Sequence, residues 1–330
     1  MRTPRLILAL LVIALAANAT LVSLLPQPLA ALAPRTGPAL ATATTWGYQL
    51  QNVDARLIPD EIDVLVVDHS RDGSIGRALT PADVSALQRR SDGRVRVVLS
   101  YLSIGEAETY RSYWNPEWTR SPPRWLGAEN AAWKGNYGVQ YWDPAWQRLI
   151  YDAASRSPAL RDRFWRLLSS DEKPYLDRIL EAGFDGVYLD RVDAFEKAGT
   201  ARPTAQAEMI GFVRGISVYA KARRTGFLIV PQNGEELLAD DSYRKVIDGV
   251  AKEDLFYGVT GDGVANDPIE TRKEIAHLNR AKADGLPVFV IEYLTDPSIQ
   301  RSVEADVRGL GFLPLFAERP LTLPPVLPPR

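Results

Sequence analysis

Two carboxylate side chains stand at the ends of apolar, β-branched runs in the second half of the chain. Asp190 closes the run GVYLD, and Glu253 follows the run DGVAK. Two carboxyl groups on different strands of one sheet can act across a glycosidic bond, one as acid and base and the other as nucleophile or as base for a water molecule. A separation near ~5 Å gives retention of configuration, and one near ~6.5–9.5 Å gives inversion. The sequence indicates such a pair and leaves its separation open.

The composition excludes most other catalytic chemistry. The 330 residues include no cysteine and only two histidines, which removes thiol nucleophiles, disulfides and nearly every zinc-ligand set. Lys plus Arg number 39 against 41 Asp plus Glu, so the formal net charge of −2 argues against a nucleic-acid partner. We therefore expect carboxylates to carry the acid and base chemistry, with no metal and no cofactor.

Several polar residues at predicted strand ends have a structural alternative. Asp143 and Asp296 precede prolines and are expected to cap helices, and Asp254 is expected to be an ion-pair partner. His69 is interpreted as a surface-loop residue and His277 as a structural residue within a helix. The remaining candidates are Asp68, Tyr101, Ser103, Glu106, Asp193, Gln232, Asn233, Glu292 and Tyr293.

The elements that would position these residues alternate between strand and helix. Helix starts are marked by pairs such as Thr80 and Pro81, a cap followed by proline at the first helical position. Counting 46–50 and 139–142, we find nine strand candidates. The pattern predicts an α/β fold, a (β/α)8 TIM-type barrel with one extra strand, whose active site lies at the carboxyl ends of the strands. A doubly wound open sheet is the alternative, weakened by the lack of a G-x-G-x-x-G turn.

The two ends of the chain have a different composition. Arg2 and Arg5 precede an uncharged run, so residues 1–33 are interpreted as a signal peptide or an uncleaved signal-anchor. Either one places the remaining chain outside the cytoplasm, secreted or membrane-anchored. We predict a linker over 34–45, a barrel over 46–318 and a proline-rich tail over 319–330. The protein is expected to be a monomer.

Six of the eight tryptophans fall within residues 114–146, a stretch broken by glycines and prolines. Such breaks favour loops, and loop tryptophans are less easily buried than helical ones. Flat aromatic faces stack on sugar rings. One or two of these rings are therefore candidates for carbohydrate contact, with ordinary core packing as the alternative.

Taken in order, the motifs resemble one known family, the endo-α-1,4-polygalactosaminidases of glycoside hydrolase family 114. The matching segments are WGYQL (46–50), VLSYLSIGE (98–106) followed by YR (110–111), YWDPAW (141–146), GFDGVYLDRVD (183–193), PQNG (231–234) and KED (252–254).

The resemblance implies a metal-free barrel enzyme that cleaves α-1,4 linkages in galactosamine-containing polysaccharide with retention. By motif, Asp190 resembles the family's nucleophile and Glu253 its acid/base, for which we expect a raised pKa. The positions that resemble its substrate cleft are Asp68, Tyr101, Glu106, Trp142, Asp193, Asn233 and Tyr293.

Three alternatives to this function remain open. The first is a glycosidase of another polysaccharide specificity, and the second is a catalytically silent carbohydrate-binding barrel. The third is a Schiff-base lyase using Lys252, although strand alternation points Lys252 away from the face that carries Glu253.

Overall fold

The computed structural model describes residues 40–151 and 173–325, and eight parallel strands and a three-stranded antiparallel sheet lie within them. In chain order the strands are β1 (Trp46–Gln49), β2 (Val64–Val67), β3 (Val97–Ser103), β4 (Glu106–Glu108), β5 (Leu126–Glu129), β6 (Asn136–Val139), β7 (Gly186–Asp190), β8 (Leu228–Pro231), β9 (Val250–Glu253), β10 (Val288–Glu292) and β11 (Leu313–Phe316). The helices are α1 (Pro81–Gln88), α2 (Pro144–Ile150), α3 (Tyr175–Ala182), α4 (Ala205–Arg223), α5 (Asp241–Arg244), α6 (Pro268–Ala283) and α7 (Pro297–Gly309).

The parallel strands follow one another in chain order around two adjoining arcs. One arc has the order β1-β2-β3-β7-β8, and the other joins β9, β10 and β11. A parallel bridge between Gln232 and Ala251 links the two arcs. At the other seam the indole of Trp46 donates to the carbonyl of Leu313 at 3.0 Å, and no ladder is formed between β11 and β1 in the described residues. The arrangement is the TIM-barrel-like α/β fold, and the doubly wound alternative is wrong.

Strand alternation divides the hydrophobic residues into two cores. Side chains such as Trp46, Tyr188 and Phe289 fill the space inside the barrel, and the rings of Trp46 and Phe289 lie 5.3 Å apart. The alternate residues, such as Val187 and Val290, face outward into the layer between strands and helices. Full burial of each such side chain stabilises the fold by roughly 1.5–3 kcal/mol.

The antiparallel sheet is an insertion between β3 and β7. It has the order β4-β6-β5 and places Glu106 opposite Gly138. The ninth strand candidate, 139–142, overlaps β6 by one residue, so the extra strand belongs to this sheet and not to the barrel. Pairing ends there because the chain turns at Tyr141 and Trp142 before Asp143 caps α2.

Residues at both ends of the described chain pack on the barrel, which corrects the predicted linker and tail. Leu40 is buried in the inner core, and Thr44 donates to Asp63 from its backbone at 2.8 Å. After β11 no helix follows in the described residues; instead, the carbonyl of Leu321 accepts a hydrogen bond from Leu50 at 2.8 Å. The packed unit thus includes 40–45 and 319–325, because their apolar side chains fill the ends of the barrel.

The predicted signal peptide or signal-anchor, 1–33, lies outside the described residues. Across 40–151 and 173–325, no helix has the length and apolar character needed to cross a membrane.

Candidate active site

Three consecutive barrel strands end in the same way. Asp190 ends β7, Gln232 follows β8 and Glu253 ends β9, and each is followed directly by a non-glycine residue with positive φ. These left-handed residues are Arg191 (φ 60), Asn233 (φ 61) and Asp254 (φ 54). A left-handed backbone is costly for most side chains and is concentrated at functional sites. The three turns bring one inward-facing polar side chain per strand to the mouth of the barrel.

Gln232 joins the two candidate catalytic carboxylates. Its Nε2 donates to Oδ1 of Asp190 at 3.2 Å and to Oε2 of Glu253 at 3.2 Å. Since both oxygens contact one nitrogen, they are at most about 6.4 Å apart, and about 5.5 Å apart if both hydrogen bonds of the planar amide are straight. The side chain of Gln232 is buried, and within the described residues its Oε1 has no hydrogen-bond partner.

Two tyrosines hold the outer oxygens of the pair. Tyr101 donates its hydroxyl to Oδ2 of Asp190 at 2.7 Å, and Tyr293 donates to Oε1 of Glu253 at 2.7 Å. The backbone amide of Arg191 donates to Oδ1 of Asp190 at 2.7 Å. Within the described residues, every hydrogen bond to the pair therefore comes from a neutral donor, which fixes the carboxyl groups without neutralising their charge.

The pKa of Asp190 departs from the ordinary value of an aspartate. Burial, reinforced by the negative charge of Glu253, raises the pKa of Asp190 to about 7, although the hydrogen bond from Tyr101 acts in the opposite direction. Desolvation disfavours the charged form of a carboxyl group, and a second negative charge close by adds to the effect. Near neutral pH Asp190 is therefore partly protonated.

Two further predicted cleft residues form a charged group beside the pair. Asp193 accepts from Arg191 at 3.2 Å, and burial raises the pKa of Asp193. Glu106 accepts from Asn130 at 2.9 Å and lies 3.4 Å from Nε of Arg191. Gly105 allows this approach, since a Cβ there would meet the backbone carbonyl of Arg191 and the side chain of Ala194. In the described residues no group of three or more acids or histidines is arranged to hold a metal ion.

Asp68 is not open to a ligand in this structure. Its carboxylate is buried and lies 2.7 Å from Nη1 of Arg111. Although burial opposes it, the charge of Arg111 keeps the pKa of Asp68 below its usual value. His69 is also buried, with Nδ1 2.6 Å from the hydroxyl of Tyr175, so its interpretation as a surface-loop residue is wrong. The chain after β2 turns inward because Asp68 and His69 join the Arg111 ion pair.

Trp142 is not brought to the carboxylate pair by any described contact. The guanidinium of Arg202 lies 3.9 Å from its ring, covering one face. Trp114, Trp118, Trp125 and Trp146 pack in sequence at centroid distances of 5.0–5.3 Å, as a core beneath the antiparallel sheet. Most tryptophans of this stretch therefore have a packing role, because the inserted sheet needs its own core. Trp133 is the exception among them and is 53% exposed.

Asn233 supports the site indirectly: its Oδ1 accepts from the backbone amide of Glu253 at 3.0 Å. Lys252 points outward, as strand alternation predicts, and lies 2.9 Å from Glu235 and 3.3 Å from Glu274. Burial alone would lower the pKa of Lys252, but the charges of Glu235 and Glu274 outweigh it and raise the pKa to about 12. A lysine held charged and outside the barrel is a poor Schiff-base nucleophile.

The structural roles predicted for Asp143, Asp296 and Asp254 are confirmed. Asp143 caps α2 by accepting from Ala145 at 2.7 Å, and Asp296 caps α7. Asp254 pairs with Arg319 at 3.0 Å.

Sequence reasoning missed Glu108 and the role of Arg111, which form a buried ion pair next to Tyr101. The signal was the YR dipeptide at 110–111, which the family motif included after VLSYLSIGE without a role.

Comparisons with known proteins identify the family and the fold. Residues 27–322 match the sequence model of glycoside hydrolase family GH114. An uncharacterized protein of Methanocaldococcus jannaschii is 37% identical over 76% of this chain and 66% of its own length. Uncharacterized proteins of Deinococcus radiodurans and Thermotoga maritima are 33% and 34% identical, over 87% and 77% of this chain and 84% and 72% of their own lengths.

Among solved structures, the glycoside hydrolase domain of PelA from Pseudomonas aeruginosa superposes with a TM-score of 0.62. The match covers 86% of this chain and 98% of that domain, at 18% identity, and shows a shared fold. With the family match across nearly the whole barrel, the conclusion is that this chain is a glycoside hydrolase of family GH114.

Proposed function

We propose that this protein cleaves α-1,4 linkages within galactosamine-containing polysaccharide, with retention of configuration, using Asp190 as nucleophile and Glu253 as acid/base. The observation that carries the proposal is the bridge from Gln232 to both carboxylates, which limits their separation to about 6.4 Å. A straight-bond separation of about 5.5 Å corresponds to the spacing of retaining enzymes and leaves little room for an intervening water.

The proposed reaction has two steps. In the first, Glu253 as a carboxylic acid protonates the glycosidic oxygen while ionised Asp190 attacks the anomeric carbon, forming a glycosyl ester and releasing the leaving sugar. In the second, Glu253 removes a proton from water, which attacks the same carbon and frees Asp190. Donors from Tyr101, Arg191 and Gln232 orient the carboxylate of Asp190 for attack, although burial and Glu253 raise its pKa to about 7, so the reaction starts from the fraction in which Asp190 is ionised and Glu253 carries the proton.

Among the acids near the site, Asp193 differs in the surroundings of one oxygen, although Arg191 lies 3.2 Å from the other. Asp68, Glu106 and Asp254 have cationic neighbours, and Asp143 is a helix cap. Oδ1 of Asp193 has no hydrogen-bond partner within the described residues. An ammonium group on a deacetylated galactosamine unit would be attracted to this oxygen, which supports an amino-sugar polymer as substrate.

We further propose that the protein works outside the cytoplasm, secreted or anchored by residues 1–33, and as a monomer. The charge and apolar run of that segment support the location. Export of a full-length reporter fusion, compared with one lacking 1–33, tests it, and size-exclusion chromatography with light scattering tests the monomer.

Polysaccharide digestion tests the activity. The substrates are partly deacetylated α-1,4-galactosamine polymer, its fully acetylated form and a β-1,4-glucosamine polymer, with products identified by mass spectrometry. We expect oligosaccharides from the first polymer, and early proton NMR spectra that show the α-anomer. Release of the β-anomer would contradict the retaining mechanism. Cleavage of a different polymer alone would favour another specificity, and binding without products would favour a silent carbohydrate-binding barrel.

A further inference from the structure

A buried group of polar side chains is joined to Asp190 through Tyr101. We call it the Arg111 cluster and define it as Asp68, Tyr101, Glu108, Tyr110 and Arg111. The side chains of Glu108 and Arg111 are each 2% exposed, so their charges act in a medium with little water. Neither side chain contacts the pair formed by Asp190 and Glu253 through a described hydrogen bond, and the proposed reaction does not use them.

Glu108 is held on both of its oxygens. Tyr110 donates its hydroxyl to Oε1 at 2.7 Å, and Arg111 donates Nε to Oε2 at 2.5 Å. Arg111 is itself fixed by Asp68, which its Nη1 approaches at 2.8 and 2.7 Å on the two carboxylate oxygens. The guanidinium thus neutralises part of the charge of Glu108 and cannot easily turn away.

Tyr101 stands between two carboxylates with one proton to donate. Its hydroxyl lies 2.7 Å from Oδ2 of Asp190 and 3.5 Å from Oε1 of Glu108. A phenol donates to the acceptor that is closer and less occupied, and Oε1 of Glu108 already accepts from Tyr110. If Glu108 lost a partner, its charge would compete with Asp190 for the same hydrogen bond.

We propose that Arg111 and Tyr110 are positioning residues, which occupy Glu108 so that Tyr101 donates its hydroxyl to Asp190. This inference rests on the proposed function, because it gives the nucleophile of that reaction its orientation. Glu108 belongs to β4 of the inserted sheet and Tyr101 to barrel strand β3. The hydroxyl of Tyr101 therefore connects the inserted antiparallel sheet to the nucleophile Asp190.

Structures of two variants test the positioning step without reference to activity. Arg111→Met removes the charged partner of Glu108. Tyr110→Phe removes the neutral one and is the milder change, since Tyr110 is 42% exposed and its loss leaves no buried charge unpaired. In crystal structures of both, we expect the distance from the Tyr101 hydroxyl to Oε1 of Glu108 to shorten from 3.5 Å to about 2.7 Å, with loss of the hydrogen bond to Asp190. A hydroxyl that stays on Asp190 in Tyr110→Phe overturns the inference, even if Arg111→Met does not fold.

Kinetics test the consequence. We expect Arg111→Met to lower kcat about 100-fold and Tyr110→Phe about 5-fold, with KM changed less than about 3-fold, because a misplaced nucleophile slows the bond-making step more than binding. Arg111→Lys keeps the charge and should retain kcat within about 10-fold of the unmodified protein. Glu108→Gln combined with Arg111→Met removes both charges and should regain about 10-fold over Arg111→Met alone.

The Tyr101→Phe background separates positioning from general damage. Without the hydroxyl, Arg111→Met and Tyr110→Phe should each lower kcat by less than about 2-fold further. If the fold-losses in kcat of the single variants multiply instead, the inference is overturned.

Arg90→Met is the matched control, because Arg90 forms a buried ion pair with Asp63 at 2.6 Å, far from β4 in the chain. It should lower the melting temperature without changing kcat. If the Tyr101 hydroxyl moves as expected but the unmodified protein cleaves no polysaccharide, the positioning role stands and the proposed function fails.

Discussion

The two catalytic carboxyl groups and the acids at the opposite end of the barrel have opposite surroundings. At the amino ends of the strands, Asp63 accepts from Arg90 at 2.6 Å and from the backbone of Thr44 at 2.8 Å. At the carboxyl ends, Asp190 and Glu253 accept only from neutral donors and, within the described residues, have no ion-pair partner. Although burial opposes it, Arg90 and Thr44 lower the pKa of Asp63 to about 2, whereas burial raises that of Asp190 to about 7.

This difference separates acids that stabilise the fold from acids that are available for chemistry. Asp248 repeats the first pattern, since it accepts from the backbone of Ile229 at 2.9 Å and from Lys221 at 2.8 Å. An acid with a lowered pKa stabilises the folded state at neutral pH, and an acid with a raised pKa destabilises it. The catalytic end thus keeps two carboxyl groups close together at the expense of stability, as functional sites commonly do.

The largest effect is expected from Glu253→Gln. Loss of the acid/base should lower kcat on the galactosamine polymer at least about 1,000-fold, because the leaving oxygen is no longer protonated. Asp63→Asn is the matched control at the other end of the barrel and should leave kcat unchanged. Circular dichroism spectra of both variants should match the unmodified protein; an active Glu253→Gln variant would contradict the assignment.

The stability of Asp190→Asn tests whether the raised pKa of Asp190 destabilises the folded state. The folded pKa of Asp190 lies about 3 units above its ordinary value of 3.8. The folded state therefore binds a proton more tightly, and its stability falls as pH rises from about 4 to 7. At pH 8 the variant should exceed the unmodified protein by up to about 4 kcal/mol in free energy of unfolding, and the gain should vanish below pH 4. Urea denaturation at pH 8 and pH 4 measures both; equal stabilities at pH 8 would refute the raised pKa.

The pH profile of kcat/KM should show a basic limb near pH 7. The proposed reaction needs one proton on the pair, and that proton is lost as pH rises through the raised pKa. Activity should fall about tenfold for each further pH unit, or about 100-fold by pH 9. Initial rates at low substrate concentration test this. A rate that is flat from pH 6 to 9 would show that no shared proton is required.

The smallest effect is expected from Asp63→Asn on stability. Its lowered pKa contributes stability that is present above the unfolded value of 3.8 and lost as pH falls toward 2. Since Asp63 is partly exposed, we expect a loss of about 1–2 kcal/mol at pH 7. Urea denaturation at pH 7 gives the loss, which should shrink when the measurement is repeated at pH 2. A loss that is independent of pH would mean that packing, and not charge, is responsible.

Strand alternation and the strand-end rule were enough to place Asp190 and Glu253 on one inward face and Lys252 on the other. Both are local properties of the backbone, and they hold wherever a strand is correctly located. The barrel itself could be predicted for the same reason.

Contacts between distant segments could not be predicted. Asp68 looked like a free strand-end acid, and its partner Arg111 lies 43 residues away. The proline-rich segment after β11 looked unstructured, yet Leu321 and Leu50 pair across the barrel seam. Trp142 was predicted to lie in the substrate cleft, but the guanidinium of Arg202 covers one face of its ring. Nor does the sequence mark Arg191 and Asp254 as left-handed, since neither residue type favours positive φ as strongly as glycine.

Trapping the glycosyl ester tests the central claim most directly. In Glu253→Gln, an α-galactosaminyl fluoride needs no acid to leave, but hydrolysis of the ester lacks its base, so the covalent intermediate should accumulate. Intact-protein mass spectrometry should show the gain of one sugar unit, and peptide mapping should place it on Asp190. A sugar attached to another carboxylate, or no adduct while the fluoride is consumed, would contradict the account.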